Sequence, residues 1–177
     1  MESSPFEGRL VRLRAREPED EPLHYGWFND PQVTEYLARR YPESHASTLQ
    51  RLQPDPKWGR SAGFAIERLD DGRCIGEVFL GSISDEDRSA RLGIAIGDRA
   101  SWDGGFGTDA MRTVCRFGFE MMNLHRIELA VDSENARARR VYEKMGFRVE
   151  AELRDRRYKV GRYRIDLLMG LLEGELM

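Results

Sequence analysis

Apolar and polar residues alternate along seven segments of the chain, as they do in β-strands that bury one face. The alternation predicts strands at 8–16, 63–69, 74–82, 91–97, 126–132, 147–157 and 162–172. Two of the intervening turns carry residues typical of hairpins, Asp70-Asp71-Gly72 and Val160-Gly161. We therefore expect the strands on either side of each turn to pair antiparallel.

Helix signals separate the other strands. Glu17-Pro18-Glu19-Asp20 opens a first helix, Asp30-Pro31 starts a short helical turn that runs to Leu37, and a third helix is predicted near 44–52. Apolar residues at helical spacing predict a fourth helix that is capped near Asn123.

The last helix is predicted to run from an N-cap at Asp132 or Ser133 to a stop at Gly146. The order of all the elements predicts an α+β fold. It would be a mostly antiparallel sheet with one splayed parallel strand pair, flanked by helices.

The fourth predicted strand has two unequal faces. Leu92, Ile94 and Ile96 lie on one face, while Gly93, Ala95 and Gly97 leave the other almost without side chains. A bare face lets another backbone or a ligand come close to the strand. A helix packed tightly on that face explains the glycines equally well, so the pattern leaves both interpretations open.

A glycine-rich turn follows this strand and leads into a helix. It is Trp102-Asp103-Gly104-Gly105-Phe106-Gly107, followed by Thr108. Unpaired N–H groups and the positive end of the helix dipole meet at such a turn, which suits a phosphate group. The spacing matches neither the dinucleotide fingerprint nor a Walker loop. Taken alone, the motif fits a flexible turn as well as a ligand site.

The composition narrows the class of protein. The 177 residues are 40% apolar and carry a formal net charge of −3, which predicts one globular domain over 1–177 that binds no nucleic acid. The chain has no apolar stretch of membrane-spanning length and no secretion signal, so we expect no membrane association. The histidines are scattered, so we expect no metal site. The two cysteines offer no disulfide framework, which predicts a cytoplasmic location.

The last predicted helix begins a stretch, 137–164, in which Lys and Arg outnumber Asp and Glu. Most of this charge is interpreted as a solvated surface, with a minority of side chains facing an anionic ligand. Asn135 and Tyr142 are two helical turns apart on one face, with Arg139 between them on nearly the same face. These three suit a long ligand with polar and anionic parts. Alternatively, Tyr142 belongs to the buried stripe and its hydroxyl binds a backbone group.

Together the motifs resemble the Gcn5-related N-acetyltransferases (GNAT), in the branch of ribosomal-protein N-terminal acetyltransferases and spermidine N-acetyltransferases. The residues that carry the resemblance are Gly105-Phe106-Gly107-Thr108, Ala110, Asn123-Leu124-His125-Arg126-Ile127, Asn135-Ala136, Tyr142-Glu143-Lys144 and Gly146-Phe147. Upstream, Trp27-x-Asn29-Asp30-Pro31-x-Val33 and Ile75-Gly76-Glu77 are similar to the same branch. The matches keep their order and spacing over most of the chain and are weakest across 38–62.

The resemblance implies the GNAT fold and acetyl-CoA as co-substrate, without a metal. It implies that the backbone of Ile94, Ala95 and Ile96 pairs with the pantetheine arm. It also implies that N–H groups of the glycine-rich turn hold the pyrophosphate, a set we take as Trp102, Asp103, Gly104, Gly105, Phe106, Gly107 and Thr108. Asn135 would bond the pantetheine, and Tyr142 would lie near the thioester sulfur. We add Arg139 for the nucleotide end of the cofactor.

The implied reaction is direct attack of a neutral amine on the thioester, with no acylated residue. Tyr142 is the predicted acid for the leaving thiolate, and a backbone N–H of the 94–96 strand is predicted to stabilise the oxyanion. The amine also needs a base. The candidates are a carboxylate, for which Glu77 and Glu128 lie on predicted strands, or a chain of water molecules. Exposure to solvent or a salt bridge is the more common role of either carboxylate.

Two positions depart from the family pattern. Trp102 stands where Gln or Arg is usual and Gly104 where a basic residue is common, so the backbone donors would bind pyrophosphate with lower affinity. Near the C-terminus, relatives carry Asp two residues after the Tyr of Gly-x-Tyr. Here Ile165 holds that place and Asp166 follows, which puts any acceptor contact of the relatives' Asp in doubt.

The acceptor is the least determined part of the prediction. The motif at 27–33 favours a protein N-terminal α-amine of the ribosomal type. The alternatives are a small amine, such as the polyamine spermidine or an aminoglycoside, and a non-catalytic acetyl-CoA-binding protein. Another acyl-CoA donor also stays open.

Other parts of the chain could contribute to acceptor binding or assembly. Aromatic residues that could line an acceptor groove, or simply belong to the core, are Trp27, Phe28, Tyr36, Tyr41 and Trp58. The acidic run Glu17, Glu19, Asp20 and Glu21 could bind a polyamine or simply start a helix. The final hairpin could pair between subunits and form a homodimer.

Overall fold

The computed structural model describes residues 4–53 and 61–177, and seven strands in these ranges form one sheet. In chain order they are β1 (Val11–Arg14), β2 (Ser61–Arg68), β3 (Cys74–Ser84), β4 (Ser89–Ile96), β5 (Arg126–Asp132), β6 (Arg148–Lys159) and β7 (Arg162–Leu172). Their order across the sheet is β1-β2-β3-β4-β5-β7-β6. Neighbours pair antiparallel except β4 and β5, which are parallel, so the predicted α+β fold is confirmed.

The same ranges contain five α-helices. They are α1 (Glu21–Phe28), α2 (Pro31–Thr34), α3 (His45–Leu52), α4 (Phe106–Glu120) and α5 (Ala136–Lys144). Local side chains explain several helix starts. Asp30 caps α2 by accepting a hydrogen bond from Gln32 N at 2.8 Å, and Ser44 opens α3 with a reciprocal capping box to Ser47. The short second helix ends at Thr34, before the predicted end at Leu37.

The start of α5 differs from the prediction. Its N-cap is Asn135, whose side-chain oxygen accepts a hydrogen bond from Ala138 N at 3.1 Å. An N-cap at Asp132 or Ser133 is therefore wrong. Asp132 ends β5 instead, and its carboxylate accepts a hydrogen bond from Arg157 Nη2 at 3.2 Å. The other oxygen of Asp132 accepts a hydrogen bond from Glu134 N at 3.0 Å, so Asp132 closes the turn before the helix while Asn135 caps the helix itself.

The core lies between the sheet and α4. Met111, Val114 and Cys115 are fully buried on one face of this helix, each apolar side chain of this size being worth about 1.5–3 kcal/mol when buried. Gly118 lets the helix approach the sheet closely, since a Cβ there would lie 3.1 Å from the Leu80 side chain. This packing fixes where α4 begins relative to β4.

One carboxylate ties the N-terminal segment to the first turn of α4. Asp109 accepts hydrogen bonds from the backbone N–H groups of Arg9, Leu10 and Val11, at 3.1, 2.8 and 3.1 Å. Gly8 precedes these donors, and a Cβ there would lie only 2.3 Å from Asp109 Oδ2. The edge strand β1 is thereby joined to the helix.

The parallel pair of β4 and β5 is very short. Its register pairs are Ser89 with Arg126, Ala90 with Ile127 and Arg91 with Glu128. Between these two strands no pair follows Arg91, whereas β4 stays paired to β3 as far as Ile96. The strands therefore diverge, and the edge of β4 that faces β5 keeps unpaired backbone groups.

Candidate active site

The gap between β4 and β5 opens into a cavity of about 1080 Å³. The cavity is bordered by β4, the turn after it, the first turn of α4, α5 and part of the segment 32–40. The predicted site residues that line it are Ile94, Ala95, Ile96, Trp102, Asp103, Gly105, Gly107, Thr108, Asn135 and Tyr142. Gly104, Phe106 and Arg139 were predicted with them and do not line it. The fold thus brings together most of the predicted cofactor site.

The glycine face of β4 is filled by aromatic side chains. A Cβ at Gly93 would lie 2.2 Å from the ring of Phe79 on β3, and a Cβ at Gly97 would lie 2.1 Å from the ring of Trp27 on α1. Close packing by a helix therefore explains Gly97, whereas the ring at Gly93 comes from a neighbouring strand; Gly93 also lines the cavity, and ligand approach to this face stays a prediction. The open backbone edge of the strand is also within reach of a ligand.

This edge can be approached from two sides of the sheet. Ile96 faces α4, because a Cβ at Gly107 would lie 3.4 Å from Ile96 Cγ1. Successive side chains of a strand point to opposite faces, so Ala95 and Gly97 face the other side. That side is covered by Trp27 of α1. One approach therefore lies at the N-terminus of α4, and the other lies beside α1.

The turn before α4 has the conformation that an anion site needs. Gly105 immediately precedes the helix with φ 83°, a left-handed conformation that glycine adopts without strain. This N-cap offers no side-chain hydrogen bond, so the N–H groups of Phe106, Gly107 and Thr108 keep free bonding capacity. The dipole of a 15-residue helix lies behind them. The turn therefore fits a pyrophosphate group.

Trp102 links this turn to β4. Its indole Nε1 donates a hydrogen bond to Ile96 O at 2.8 Å. The guanidinium of Arg137, on α5, lies 4.9 Å from the centroid of its ring, and that of Arg99 lies 6.0 Å away. Arg137 also approaches Asp103 Oδ1 at 3.5 Å and lines the cavity. A guanidinium that the sequence analysis did not select is thus held beside the turn.

Asn135 and Tyr142 both reach the cavity from α5. The Oδ1 atom of Asn135 caps the helix, which leaves its side-chain NH₂ to donate to a ligand. Tyr142 packs against the core, with its ring centroid 6.1 Å from that of Phe147, and borders the cavity at the same time. Burial raises the pKa of its hydroxyl to about 12. The phenol is therefore protonated at neutral pH.

Arg139 has a different partner. Its Nε donates a hydrogen bond to Glu143 Oε1 at 2.8 Å, and both side chains are nearly half exposed. A contact with the nucleotide end of a cofactor stays a prediction for this residue. Arg137, two positions earlier, is the arginine of α5 that borders the cavity.

Of the two candidate base carboxylates, only Glu77 lines the cavity. Its Oε2 accepts a hydrogen bond from Arg51 Nη1 at 2.7 Å and lies 3.3 Å from His24 Nδ1. Burial alone would raise the pKa of the Glu77 carboxyl, but His24 and Arg51 outweigh this effect and hold the pKa below its ordinary value. Glu128 lies outside the cavity and pairs with Arg126 at 3.4 Å.

A buried ionic network forms a part of the wall that the sequence analysis missed. Arg157 binds both oxygens of Asp166, at 2.6–3.0 Å, and reaches Asp132. Its Nη1 also donates a hydrogen bond to Tyr36 O at 3.4 Å, which ties the segment 32–40 to the sheet. Asp166 therefore belongs to the cavity wall even though its sequence position departs from the family pattern. The inward position of Arg157 on an alternating strand was the signal that could have revealed it.

The aromatic and acidic candidates for acceptor binding lie in different places. Phe28 and Tyr36 line the cavity, whereas Tyr41 is 84% exposed outside it. Trp58 lies outside the described residues. In the acidic run, Asp20 binds Arg14 at 2.7 and 2.8 Å, and Glu21 lies 2.8 Å from His45 Nδ1. These contacts favour a structural role for the acidic run over a polyamine site.

A family model that covers most of the chain identifies the family. The family model "Acetyltransferase (GNAT) domain" matches residues 10–148. The chain belongs to the GNAT family. The predicted GNAT fold is thereby confirmed, and the diverging parallel pair of β4 and β5 is part of it in this GNAT enzyme.

Three relatives of this GNAT enzyme bear on its chemistry. Spermidine N(1)-acetyltransferase of Escherichia coli is 33% identical over 167 residues, which are 94% of this chain and 88% of that protein. YdaF of Bacillus subtilis, named as a candidate ribosomal N-acetyltransferase, is 29% identical over 124 residues, or 68% of this chain and 67% of that protein. The crystal structure of Vibrio cholerae spermidine N-acetyltransferase with CoA and spermine matches with a TM-score of 0.86 at 27% identity, covering 93% of this chain and 96% of that chain.

The GNAT domain and its acetyltransferase relatives support the predicted N-acetyltransferase over a non-catalytic binding protein. Within residues 4–53 and 61–177, no helix is long and apolar enough to cross a membrane. The same ranges hold no group of three or more His, Cys, Asp or Glu side chains that could bind a metal ion. The cytoplasmic location, the single domain and the homodimer stay predictions.

Proposed function

We propose that this GNAT enzyme transfers an acetyl group from acetyl-CoA to a small cationic amine, such as a polyamine. The observation that carries the proposal is the extent of its similarity to a spermidine acetyltransferase. Because that similarity spans 94% of the chain, it takes in the segment 17–53 on the α1 side as well as the cofactor half. The small amine, first considered as an alternative, is thereby better supported than the N-terminal α-amine.

The donor would be held mainly by backbone groups. The edge of β4 at Ile94–Ile96 has no partner strand and, apart from Ile96 O, which Trp102 occupies, suits the amides of a pantetheine arm. The free N–H groups at the start of α4 suit its pyrophosphate. The side-chain NH₂ of Asn135 is available for a pantetheine carbonyl. When bound, acetyl-CoA supplies the activated thioester.

Tyr142 is proposed as the residue that serves the leaving sulfur. Its hydroxyl has a pKa of about 12 and therefore stays protonated at neutral and moderately alkaline pH. Complete proton transfer to a thiolate with an ordinary thiol pKa of about 8.5 is uphill by roughly 3.5 pKa units. Tyr142 therefore acts first as a hydrogen-bond donor to the sulfur. Burial in the same cavity raises the pKa of the departing thiol, which makes the transfer less uphill.

No side chain is assigned as the base that deprotonates the reacting amine. The amine must lose a proton before it attacks, and its ordinary pKa is about 10. Glu77, whose pKa is held low, is too weak a base to keep that proton. We therefore place the loss of this proton before the attack, as an equilibrium of the ammonium group with bulk solvent through the open cavity, so that the neutral fraction of the amine reacts.

The motif that favoured a protein N-terminus has another explanation. The Asn29 amide NH₂ donates hydrogen bonds to Tyr25 O and Glu43 O, at 2.9 and 3.1 Å, and its oxygen accepts one from Glu43 N at 2.9 Å. Asp30 caps α2. These residues hold neighbouring segments together, so their presence does not argue for a peptide acceptor.

The experiment is a thiol-release assay with acetyl-CoA and an acceptor panel, with products identified by mass spectrometry. The panel contains spermidine, spermine, an aminoglycoside and peptides with free N-termini, and succinyl-CoA replaces acetyl-CoA in a parallel series. We expect acetylated spermidine or spermine as the main product. Turnover restricted to the peptides would establish the N-terminal reaction instead. Binding of the cofactor without turnover of any acceptor would remove the proposal.

A further inference from the structure

Three buried carboxylates line the cavity, and within the described residues only one of them has an oxygen without a hydrogen-bond partner. They are Glu77, Asp132 and Asp166. Both oxygens of Asp132 and both of Asp166 accept hydrogen bonds. Glu77 uses Oε2 alone, for Arg51 and His24, and its Oε1 has no hydrogen-bond partner among residues 4–53 and 61–177. A carboxylate oxygen with free bonding capacity therefore borders the cavity.

Glu77 lies on the side of the sheet away from the cofactor turn. It pairs with Ala95 across β3 and β4, and directly paired residues place their side chains on the same face. Ala95 faces away from α4, as the contact between Gly107 and Ile96 requires. The Glu77 carboxylate is therefore on the α1 side, opposite the N-terminus of α4. An acceptor that enters beside α1 meets it before reaching the edge of β4.

The Glu77 carboxylate is held in a fixed orientation. Arg51, which binds Oε2, has two further contacts that fix its position. Its Nε lies 3.2 Å from Glu43 Oε1, and its guanidinium lies 4.5 Å from the centroid of the Phe28 ring. His24, the second neighbour of Oε2, is fully buried. Because one oxygen is fixed by these groups, the direction of the other is fixed as well.

We propose that Glu77 Oε1 binds a second, non-reacting ammonium group of the acceptor, and so selects diamines and polyamines over monoamines. This inference rests on the proposed small-amine activity and names the group that recognises such a substrate. Arg51 and His24 act through Glu77 and are positioning residues.

The charge state of Glu77 explains why the bound nitrogen is one that does not react. The attacking nitrogen must be neutral, and a nearby carboxylate stabilises its protonated form instead. Because the pKa of Glu77 is low, its carboxylate is ionised at every pH at which an amine is partly neutral and can react. It therefore suits a nitrogen that keeps its charge throughout the reaction, and such a nitrogen requires an acceptor with at least two amines.

The test compares Glu77→Gln with wild type, using spermidine and the monoamine butylamine as acceptors. We expect KM for spermidine to rise about tenfold to hundredfold, the loss of one charge-assisted hydrogen bond. KM for butylamine and the dissociation constant of CoA should change less than twofold. Glu128→Gln is the matched control, because this strand carboxylate lies outside the cavity, and all its constants should stay unchanged.

A second variant, Glu77→Asp, keeps the charge and serves if Glu77→Gln fails to fold. It should give a smaller rise in KM for spermidine. An unchanged spermidine KM in either folded variant, or an equal rise for spermidine and butylamine, overturns the role of Glu77 and leaves the proposed function intact. Wild-type enzyme that binds CoA but acetylates neither amine overturns the proposed function, and the inference with it.

Discussion

The indole N–H of Trp102 and the carbonyl oxygen of Ile96 are joined by a hydrogen bond of 2.8 Å. This bond connects the turn that would hold pyrophosphate with the strand that would hold pantetheine. The guanidinium of Arg137 on α5 lies 4.9 Å from the centroid of the same ring. A residue that departs from the family pattern thus joins three elements of the cofactor site.

The Trp102→Phe substitution keeps an aromatic ring and removes the indole N–H. We expect CoA to bind about fivefold more weakly, since a net hydrogen bond is worth about 1 kcal/mol. Isothermal titration calorimetry measures this directly. An unchanged CoA affinity would show that the bond does not support the site.

Arg137 and Arg139 form a matched pair for testing the nucleotide end. Arg137→Ala should weaken CoA binding by about fivefold to fiftyfold at low salt, and less at high salt, because its charge borders the cavity. Arg139→Ala should change the affinity less than twofold, because this side chain pairs with Glu143. The opposite ranking of the two variants would restore Arg139 as the nucleotide contact.

Tyr142→Phe should lower kcat by about 10²–10⁴, the usual contribution of a positioned acid, with little change in CoA affinity. The acid works while it is protonated, so its activity is lost only as pH rises through its pKa of about 12. We therefore expect the wild-type kcat profile to show no alkaline fall below about pH 10 from this group. Tyr163→Phe, at an exposed position, is the control and should leave kcat unchanged. A fall centred near pH 8 that disappears in Tyr142→Phe would contradict the high pKa.

Asp109→Asn should lower the free energy of unfolding by about 2–4 kcal/mol, because the amide keeps one acceptor oxygen but places an NH₂ group where the other oxygen accepts a backbone N–H. Urea unfolding followed by circular dichroism gives the value. Asp71→Asn is the control: its carboxylate accepts one exposed N–H, from Arg73, and the loss should stay below about 1 kcal/mol. Equal losses in the two variants would mean that Asp109 does not anchor the N-terminal segment.

Strands whose alternation reflects one buried face were predictable from the sequence. The predicted limits 126–132 and 162–172 are those of β5 and β7. The hairpin between β6 and β7 turns at Val160 and Gly161, with φ of 50° and 75°, as a tight two-residue loop requires. Local chemistry decides such elements, so local sequence reveals them.

Features decided by distant partners were not predictable. The carboxylate of Asp132, predicted as a possible helix cap, is instead shared between Glu134 N in the preceding turn and Arg157, 25 residues further along the chain. The glycines of β4 were correctly recognised as a bare face, but the rings that cover it come from Phe79 and Trp27.

The candidate site divides in the same way. The turn 102–108 and the α5 residues Asn135 and Tyr142 follow from motifs that are local in sequence. Glu77 could be selected only as one strand carboxylate among several. Its partner Arg51 is 26 residues away, and no spacing rule connects the two.

Gly93 and Gly97 have a consequence for how this enzyme can diversify. They give the surface on the α1 side to the side chains of Phe79 and Trp27, whereas the proposed donor site on β4 and at the start of α4 consists mainly of main-chain groups. We therefore expect substitutions of Phe79, whose ring lines the cavity, to change acceptor selectivity and to leave these main-chain groups as they are. In evolution or in protein engineering, the proposed acceptor site can then change while the proposed donor site is retained.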